Sequence, residues 1–310
     1  LFPVLILASF LSTTLGVRDL GSPGWSCSED LMKKSKSVPT SVHSLRPADI
    51  GIVAAFGDSI TAGNGAGAEM GDILGVTIEY RGLSFSVGGD KSLDDHISMA
   101  NVLKKFNPDL YGYSVGTGRA FEVSKLNVAM PYSRSKNMEA QANELIKRLK
   151  EHREADHLTQ WKLVHIFIGG DDICAWCNHQ EKESADAYRD GIRAAVQVLQ
   201  NELPRTIVVF TALVDVGIMR KANDAEPEKC LKLHKVECEC EAKPEVTDEM
   251  LADEAKLYAQ KVQDMQDSGE FDTSDDFTFI VQPFFEGMDD LSRNPDGTIN
   301  MEFFAPDCFH

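Results

Sequence analysis

Five short runs of apolar and β-branched residues constrain the fold more than any other feature of the sequence. They are residues 51–56 (GIVAAF), 125–130 (KLNVAM), 163–168 (LVHIFI), 206–214 (TIVVFTALV) and 277–281 (FTFIV). A strand with one face in water alternates apolar and polar residues. These runs do not, so each reads as a strand buried on both faces. Helical spacing fills the intervals between them. Residues 137–155 place Met138, Ala142, Leu145 and Leu149 three or four apart, with charged residues between, and 184–202 and 247–266 behave similarly. Strands alternating with helices imply right-handed crossovers and a parallel sheet covered on both sides, an α/β fold. There is no internal repeat and no Pro/Ser-rich linker, and 310 residues suffice for one large domain.

The N-terminus stands outside this pattern. Residues 1–15 (LFPVLILASFLSTTL) are apolar and uncharged, but shorter than the roughly 18–20 residues a spanning helix requires. Thr14 and Gly16 sit at −3 and −1 of a cleavage point before Val17, so residues 1–16 read as a secretory signal peptide. Residues 17–40 then form an N-terminal lead and 41–310 the folded domain. The expected location is secreted. In an oxidising compartment the seven cysteines should mostly pair. Seven is odd, so one is left over. Cys174 with Cys177, and Cys230 with Cys238 or Cys240, are the local candidates, although spacing does not fix connectivity. Cys230, His234, Cys238 and Cys240 also have the composition of a zinc site, a reading disfavoured by the oxidising compartment and the tight Cys-Glu-Cys spacing. The charged, Cys-rich stretch 221–244 reads as a stapled surface excursion. A balance of 31 Lys and Arg against 49 Asp and Glu leaves a net charge of −18. Such a chain repels phosphate backbones, which argues against nucleic-acid binding and against strong attraction to anionic membranes. Transient contact with a neutral lipid surface stays open.

Chemistry is concentrated at two places. Gly57-Asp58-Ser59 follows the first strand directly, which puts Ser59 at a strand-to-helix turn beyond the carboxyl edge of the sheet, where ligands bind in such folds. A helix starting there aims N–H groups and a positive dipole end at the same point. A helix-capping role for Ser59 fits that position equally well. A nucleophilic serine needs a base and the base an orienter, and Asp307-Cys308-Phe309-His310 supplies both within one loop. His165, inside a strand, reads as a satisfied core residue.

With these residues in place the chain resembles the GDSL, or SGNH, hydrolases, and among them the phospholipase B-like branch. Phe56–Gly63 (FGDSITAG) is similar to the first block of that family, and residues 80–90 (YRGLSFSVGGD), 126–130, 167–174 (FIGGDDIC) and 307–310 follow in order. The resemblance spans about 41 to 310. It implies a three-layer α/β/α sandwich with a mostly parallel, flavodoxin-like central sheet. It also implies that Ser59 is the nucleophile, His310 the general base and Asp307 its orienter. No cofactor and no metal are implied, and a monomer is expected. The substrate implied is a lipid or other acyl ester, phospholipid or lysophospholipid above all. The resemblance further assigns the oxyanion hole to the backbone N–H groups of Ser59 and Gly89 and to an Asn side chain. Here Asp171 replaces that Asn. Asn donates an N–H, whereas an ionised Asp only accepts, so a weakened enzyme or a silent lipid- or ester-binding homologue is the alternative. Members of this branch continue past the histidine into a further helix, which this sequence does not include.

Other motifs are weaker. Gly63–Ala68 (GNGAGA) fits a dinucleotide fingerprint, but its first glycine falls six residues after Gly57 and not directly after the strand. Ser133-x-x-Lys136 is a four-residue match of the kind chance supplies. Asp58, Asp171 and Asp172 have the composition of a hard-cation site, but loop bracing by Asp58 and Asp172 is the favoured reading.

Overall fold

The first strand, β1 (Ile50–Gly57), divides its side chains between two cores: Ile52, Ala54 and Phe56 enter one, and Ile50, Val53 and Ala55 the other. Successive residues of a strand point to opposite faces, so an unbroken apolar run demands cover on both sides. In the computed structural model, which describes residues 20–310 except 153, 286 and 289, that cover is present. The segment read as a signal peptide, and the start of the lead, lie outside the described residues. Strands β2 (Trp161–Phe167), β3 (Thr206–Thr211) and β4 (Phe277–Gln282) complete a parallel sheet of order β1-β2-β3-β4.

Four of the five expected strands therefore form. The fifth, 125–130, does not. It meets β1 at one parallel bridge, Ala55 to Asn127, through Ala55 N–H to Leu126 O (3.1 Å) and Val128 N–H to Ala55 O (2.8 Å). The segment turns because Lys125 adopts φ +46°. In addition, the buried Asn127 amide donates to Thr61 O, while its side-chain oxygen accepts from Arg81 and from Ala129 N–H. These polar partners come from distant loops and leave no trace in local hydropathy.

The described helices are α1 (Ser59–Ala62), α2 (Met99–Phe106), α3 (Phe121–Ser124), α4 (Met138–Glu151), α5 (Gly170–Trp176), α6 (Ala185–Glu202), α7 (Arg220–Ala225), α8 (Pro227–Glu237) and α9 (Asp248–Asp267). Side-chain caps set two of the long starts: Ser184 accepts from Ala187 N–H, and Thr247 from Met250 N–H. Sequential parallel strands joined by crossovers of one hand return their helices to the same face. Accordingly α4 packs on α6 and α6 on α9, over the core that contains Ile52, Phe56 and Ile166. The other face is closed by Val87, Leu103 of α2 and Leu110. The chain thus departs from β1 toward both faces, which makes the carboxyl end of β1 the switch point where a cleft opens. His165 is buried among polar partners, with Ser86 Oγ at 2.7 Å from Nδ1 and Thr211 Oγ1 at 2.8 Å from Nε2.

The cysteines depart from the local pairing expected. Cys174 bonds Cys238, Cys177 bonds Cys240 and Cys230 bonds Cys308, while Cys27 is free. Cys174 on α5 and Cys177 at its C-cap are three residues apart, hence on one helix face. That face meets the 221–244 insert, which supplies a partner to each. The zinc reading fails for the same reason, since its three cysteines belong to three disulfides. Nor is the insert a surface excursion. Its Cys230, His234, Cys238 and Cys240 are fully buried, because α7 and α8 fold down over α5 and the 305–310 loop.

Candidate active site

Ser59 owes its position to the glycine two residues before it. A Cβ on Gly57 would lie 2.1 Å from Phe167 O, so only glycine lets β1 end this close to the end of β2. Gln141 of α4 clamps the same peptide from the side, accepting from Gly57 N–H and donating to Gly57 O, both at 2.9 Å. Asp58 then caps α1 by accepting from Ile60 N–H at 3.0 Å. Ser59, the first residue of α1, is 8% exposed and faces the cleft. The helix ends one turn later at Gly63, whose φ of +76° gives a left-handed cap.

The structure brings His310 and Asp307 to this serine. His310 Nε2 lies 2.8 Å from Ser59 Oγ, and His310 Nδ1 lies 2.5 Å from Asp307 Oδ2. The loop is closed on itself by Ala305 N–H to His310 O at 2.7 Å, while Asp307 Oδ1 accepts the N–H groups of Phe309 and His310, each at 3.1 Å. Burial alone would raise the Asp307 carboxyl. The hydrogen bond and charge of His310 and the two loop N–H groups outweigh it and hold the group below the usual carboxylate range. Asp307 is therefore an ionised acceptor, which fixes the Nδ1–H tautomer of His310 and leaves Nε2 free to accept from Ser59.

The insert holds this loop from outside. Cys308, between Asp307 and His310, is bonded to Cys230 of α8, and the Cys308 carbonyl lies 3.1 Å from His234 Nε2. Replacing both Cys230 and Cys308 with Ser is expected to cost about 2–4 kcal/mol of unfolding free energy, the usual range for a bridge closing a long loop. Denaturant unfolding measures this, and an unchanged midpoint would refute the tether.

Three acidic residues flank Ser59, and their roles differ. Asp172 is wholly buried, accepts from Ser135 N–H at 3.0 Å and from Ser135 Oγ at 2.5 Å, and is pushed up to about 7 by burial despite those bonds. The Asp58 carboxyl is pushed well above its ordinary range by burial and then by the charge of Asp171. Both brace backbone. Asp171, in the first turn of α5, lines the cleft with Ser59 and His310. Burial pushes its carboxyl up to about 6, with His310 and Arg134 pulling the other way.

Gly89 does not reach the cleft. Its N–H donates to Ser114 O at 2.8 Å, and neighbouring Gly88 forms a parallel bridge with Ser114. A Cβ on Gly89 would lie 2.1 Å from the Tyr113 ring, so glycine is required there for packing. Within the same block it is Phe85 that lines the cleft. Of the three residues expected to form an oxyanion hole, Ser59 and Asp171 line the cleft.

The cleft itself was not legible in the sequence. It has a volume of about 730 Å³ and is walled by apolar side chains, among them Phe85, Phe167, Leu213, Met219, Phe285 and Phe304. They come from five separate segments, and no local pattern marks them as neighbours.

The family model of GDSL-like lipase/acylhydrolase matches residues 53–310. The chain belongs to this family. The family is one of lipases and acylhydrolases. Among curated proteins it is similar to membrane-associated phospholipase B1 of Rattus norvegicus, at 38% identity over 283 residues, of Mus musculus, at 39% over 284, and of Homo sapiens, at 38% over 281. Each match covers 89% of this chain, and the chain spans only 19% of the length of these relatives. A solved GDSL-like lipase from Parabacteroides merdae superposes with a TM-score of 0.37 at 14% identity, over 78% of this chain and 80% of that one. The family assignment rests on the sequence matches.

Proposed function

We propose that this GDSL hydrolase cleaves acyl esters of phospholipids or lysophospholipids, with Ser59 as nucleophile, His310 as general base and Asp307 as its orienter. The observation that carries the reading is the unbroken line from Asp307 Oδ2 through His310 to Ser59 Oγ, with steps of 2.5 and 2.8 Å, opening into an apolar cleft. Ser59 Oγ attacks the acyl carbonyl as His310 Nε2 takes its proton. The imidazolium, stabilised by Asp307, returns that proton to the leaving alcohol. Water, deprotonated by the same nitrogen, then releases the fatty acid. Long acyl chains suit a cleft of this size and lining, and similarity to phospholipase B1 supports a lipid substrate.

A second reading has an observation of its own. Asp171 stands where the family places a donor, and an ionised carboxylate there opposes the developing oxyanion. The chain is then a weak enzyme or a lipid binder that keeps the pocket. Three disulfides support an oxidising, extracellular setting. Among the described residues no helix is long and apolar enough to cross a membrane.

One experiment separates the readings. A fluorophosphonate probe should label Ser59 and fail on Ser59→Ala, while lysophospholipid, diacyl phospholipid and a short acetyl ester are turned over side by side. Labelling without turnover of any of the three favours the binder. Labelling that persists in Ser59→Ala refutes the assigned nucleophile.

A further inference from the structure

We propose that Glu237 is a positioning residue for Asp307: its carboxylic acid O–H donates to the Asp307 carboxylate and holds it, and through it His310, in register with Ser59. The inference rests on the triad proposed above. Its ground is the way α8 addresses the 305–310 loop. Cys230, His234 and Glu237 are spaced four and three apart, so they share one face of α8. Cys230 is bonded to Cys308, His234 Nε2 lies 3.1 Å from Cys308 O, and the His234 ring meets Phe309 edge-on at 6.0 Å. Glu237 is the next residue along this face. Its carboxylate and the ligand atoms of Asp307 and His310 lie within 4.8 Å of one another. Cys238 and Cys240, just beyond, are bonded to Cys174 and Cys177, so the end of α8 cannot drift away.

Two carboxyl groups this close, Asp307 buried and Glu237 half-buried with its Oε2 out of water, repel each other strongly if both ionise. One proton between them satisfies both, and the surroundings decide which keeps it. Asp307 already accepts three N–H groups, from Phe309, from the His310 backbone and from His310 Nδ1, all of which favour its charged form. Glu237 has no such donors, and its Oε2 is buried without a hydrogen-bond partner. The proton therefore belongs to Glu237. Consistent with this, burial and then the Asp307 charge push Glu237 up to about 9. The other ionisable groups around the pair are His310 on the same loop, and His234 and Glu241 within the insert, where His234 Nδ1 lies 3.3 Å from Glu241 Oε2. Across the cleft, the charge of Asp171 is felt by His310, and Arg134 acts on Asp171 in turn. A cation shared by Glu237, Asp307 and His310 is disfavoured, since Asp307 and Ser59 already engage both ring nitrogens.

Glu237 keeps its proton throughout the reaction. A neutral acid fixes the Asp307 carboxylate without adding charge beside the imidazolium, whereas an ionised Glu237 repels Asp307 and loosens the loop. In the full chain, Glu237→Ala is expected to lower kcat, and the rate of Ser59 labelling by a fluorophosphonate, on the order of 10-fold with KM unchanged. Glu237→Gln, which keeps an N–H donor at the same length, should restore most of that loss. Wild-type kcat should fall as pH rises through about 9, and Glu237→Gln should lack this step. The carboxyl carbon resonance absent from Glu237→Gln should titrate in the same alkaline range. Wild-type kinetics in Glu237→Ala would overturn the proposal, as would Glu237→Gln no better than Glu237→Ala, or a Glu237 resonance titrating with ordinary glutamates. If Glu237→Ala does not fold, the Gln variant and the titration decide alone. Turnover that survives in Ser59→Ala counts against the triad, while the titration still reports on the Glu237–Asp307 bond.

Discussion

Asp307→Asn is expected to lower kcat by about 10⁴ and leave KM almost unchanged, the effect of the equivalent change in serine hydrolases. The argument is one of tautomers. The introduced asparagine would keep the volume of the carboxylate and could still accept the Phe309 and His310 N–H groups through its oxygen, the role Asp307 Oδ1 has now. Its NH₂ group would then face His310 Nδ1 in place of Oδ2. A donor opposite Nδ1 selects the ring with its proton on Nε2, the nitrogen that must accept from Ser59 at 2.8 Å. The hydroxyl is left without a base. Asp307 is 1% exposed and does not line the cleft, so substrate binding should not notice. Steady-state kinetics on a short-chain ester measure both constants, and a fall in kcat of under tenfold would remove Asp307 from its assigned role. Acid pH should act in the same direction. The Asp307 carboxyl is held below its ordinary value in the folded protein. Its contribution to stability is therefore complete above the unfolded-state pKa, and is lost as pH falls through the folded one.

Asp171→Asn should do the reverse and raise turnover, by about 10²–10³ if it supplies a missing oxyanion donor. Burial pushes Asp171 up to about 6. At pH 8 the group is mostly ionised, has only lone pairs to offer, and lines the cleft with Ser59. Asn offers an N–H from the same backbone position. The effect should depend on pH in a defined sense. Below about 6 the wild-type carboxyl is protonated and can donate, so the ratio of variant to wild-type kcat should be largest above pH 6 and shrink as pH falls through it. Taking the ratio cancels any pH dependence that both proteins share. A ratio near one at pH 8 would show that Asp171 turns away from the oxyanion, and would weaken the reading of this chain as an attenuated enzyme.

The two predictions differ in what made their residues visible. Ser59, Asp307 and His310 could be chosen as candidates because each carries a local signature: a serine directly after a buried strand, and a carboxylate three residues before an imidazole. Asp171 was visible only by comparison with a family block. Gly89 was chosen in the same way, but block position does not say whether an N–H is already engaged, and Ser114 O engages this one. Glu237 had no signal at all. It is one acid in a charged, Cys-rich stretch, and its importance arises from a loop 70 residues later in the chain.

Hydropathy period and capping residues belong to a few consecutive positions. From them the amino-acid sequence alone determined a parallel sheet buried on two faces, the starts of α6 and α9 at Ser184 and Thr247, and a serine at the end of β1. The disulfide partners, the walls of the cleft, the collapse of 125–130 into a single bridge and the meeting of α8 with the His310 loop were decided only by the tertiary structure. Each depends on groups brought together from segments far apart along the chain, and local periodicity carries no information about distance in space.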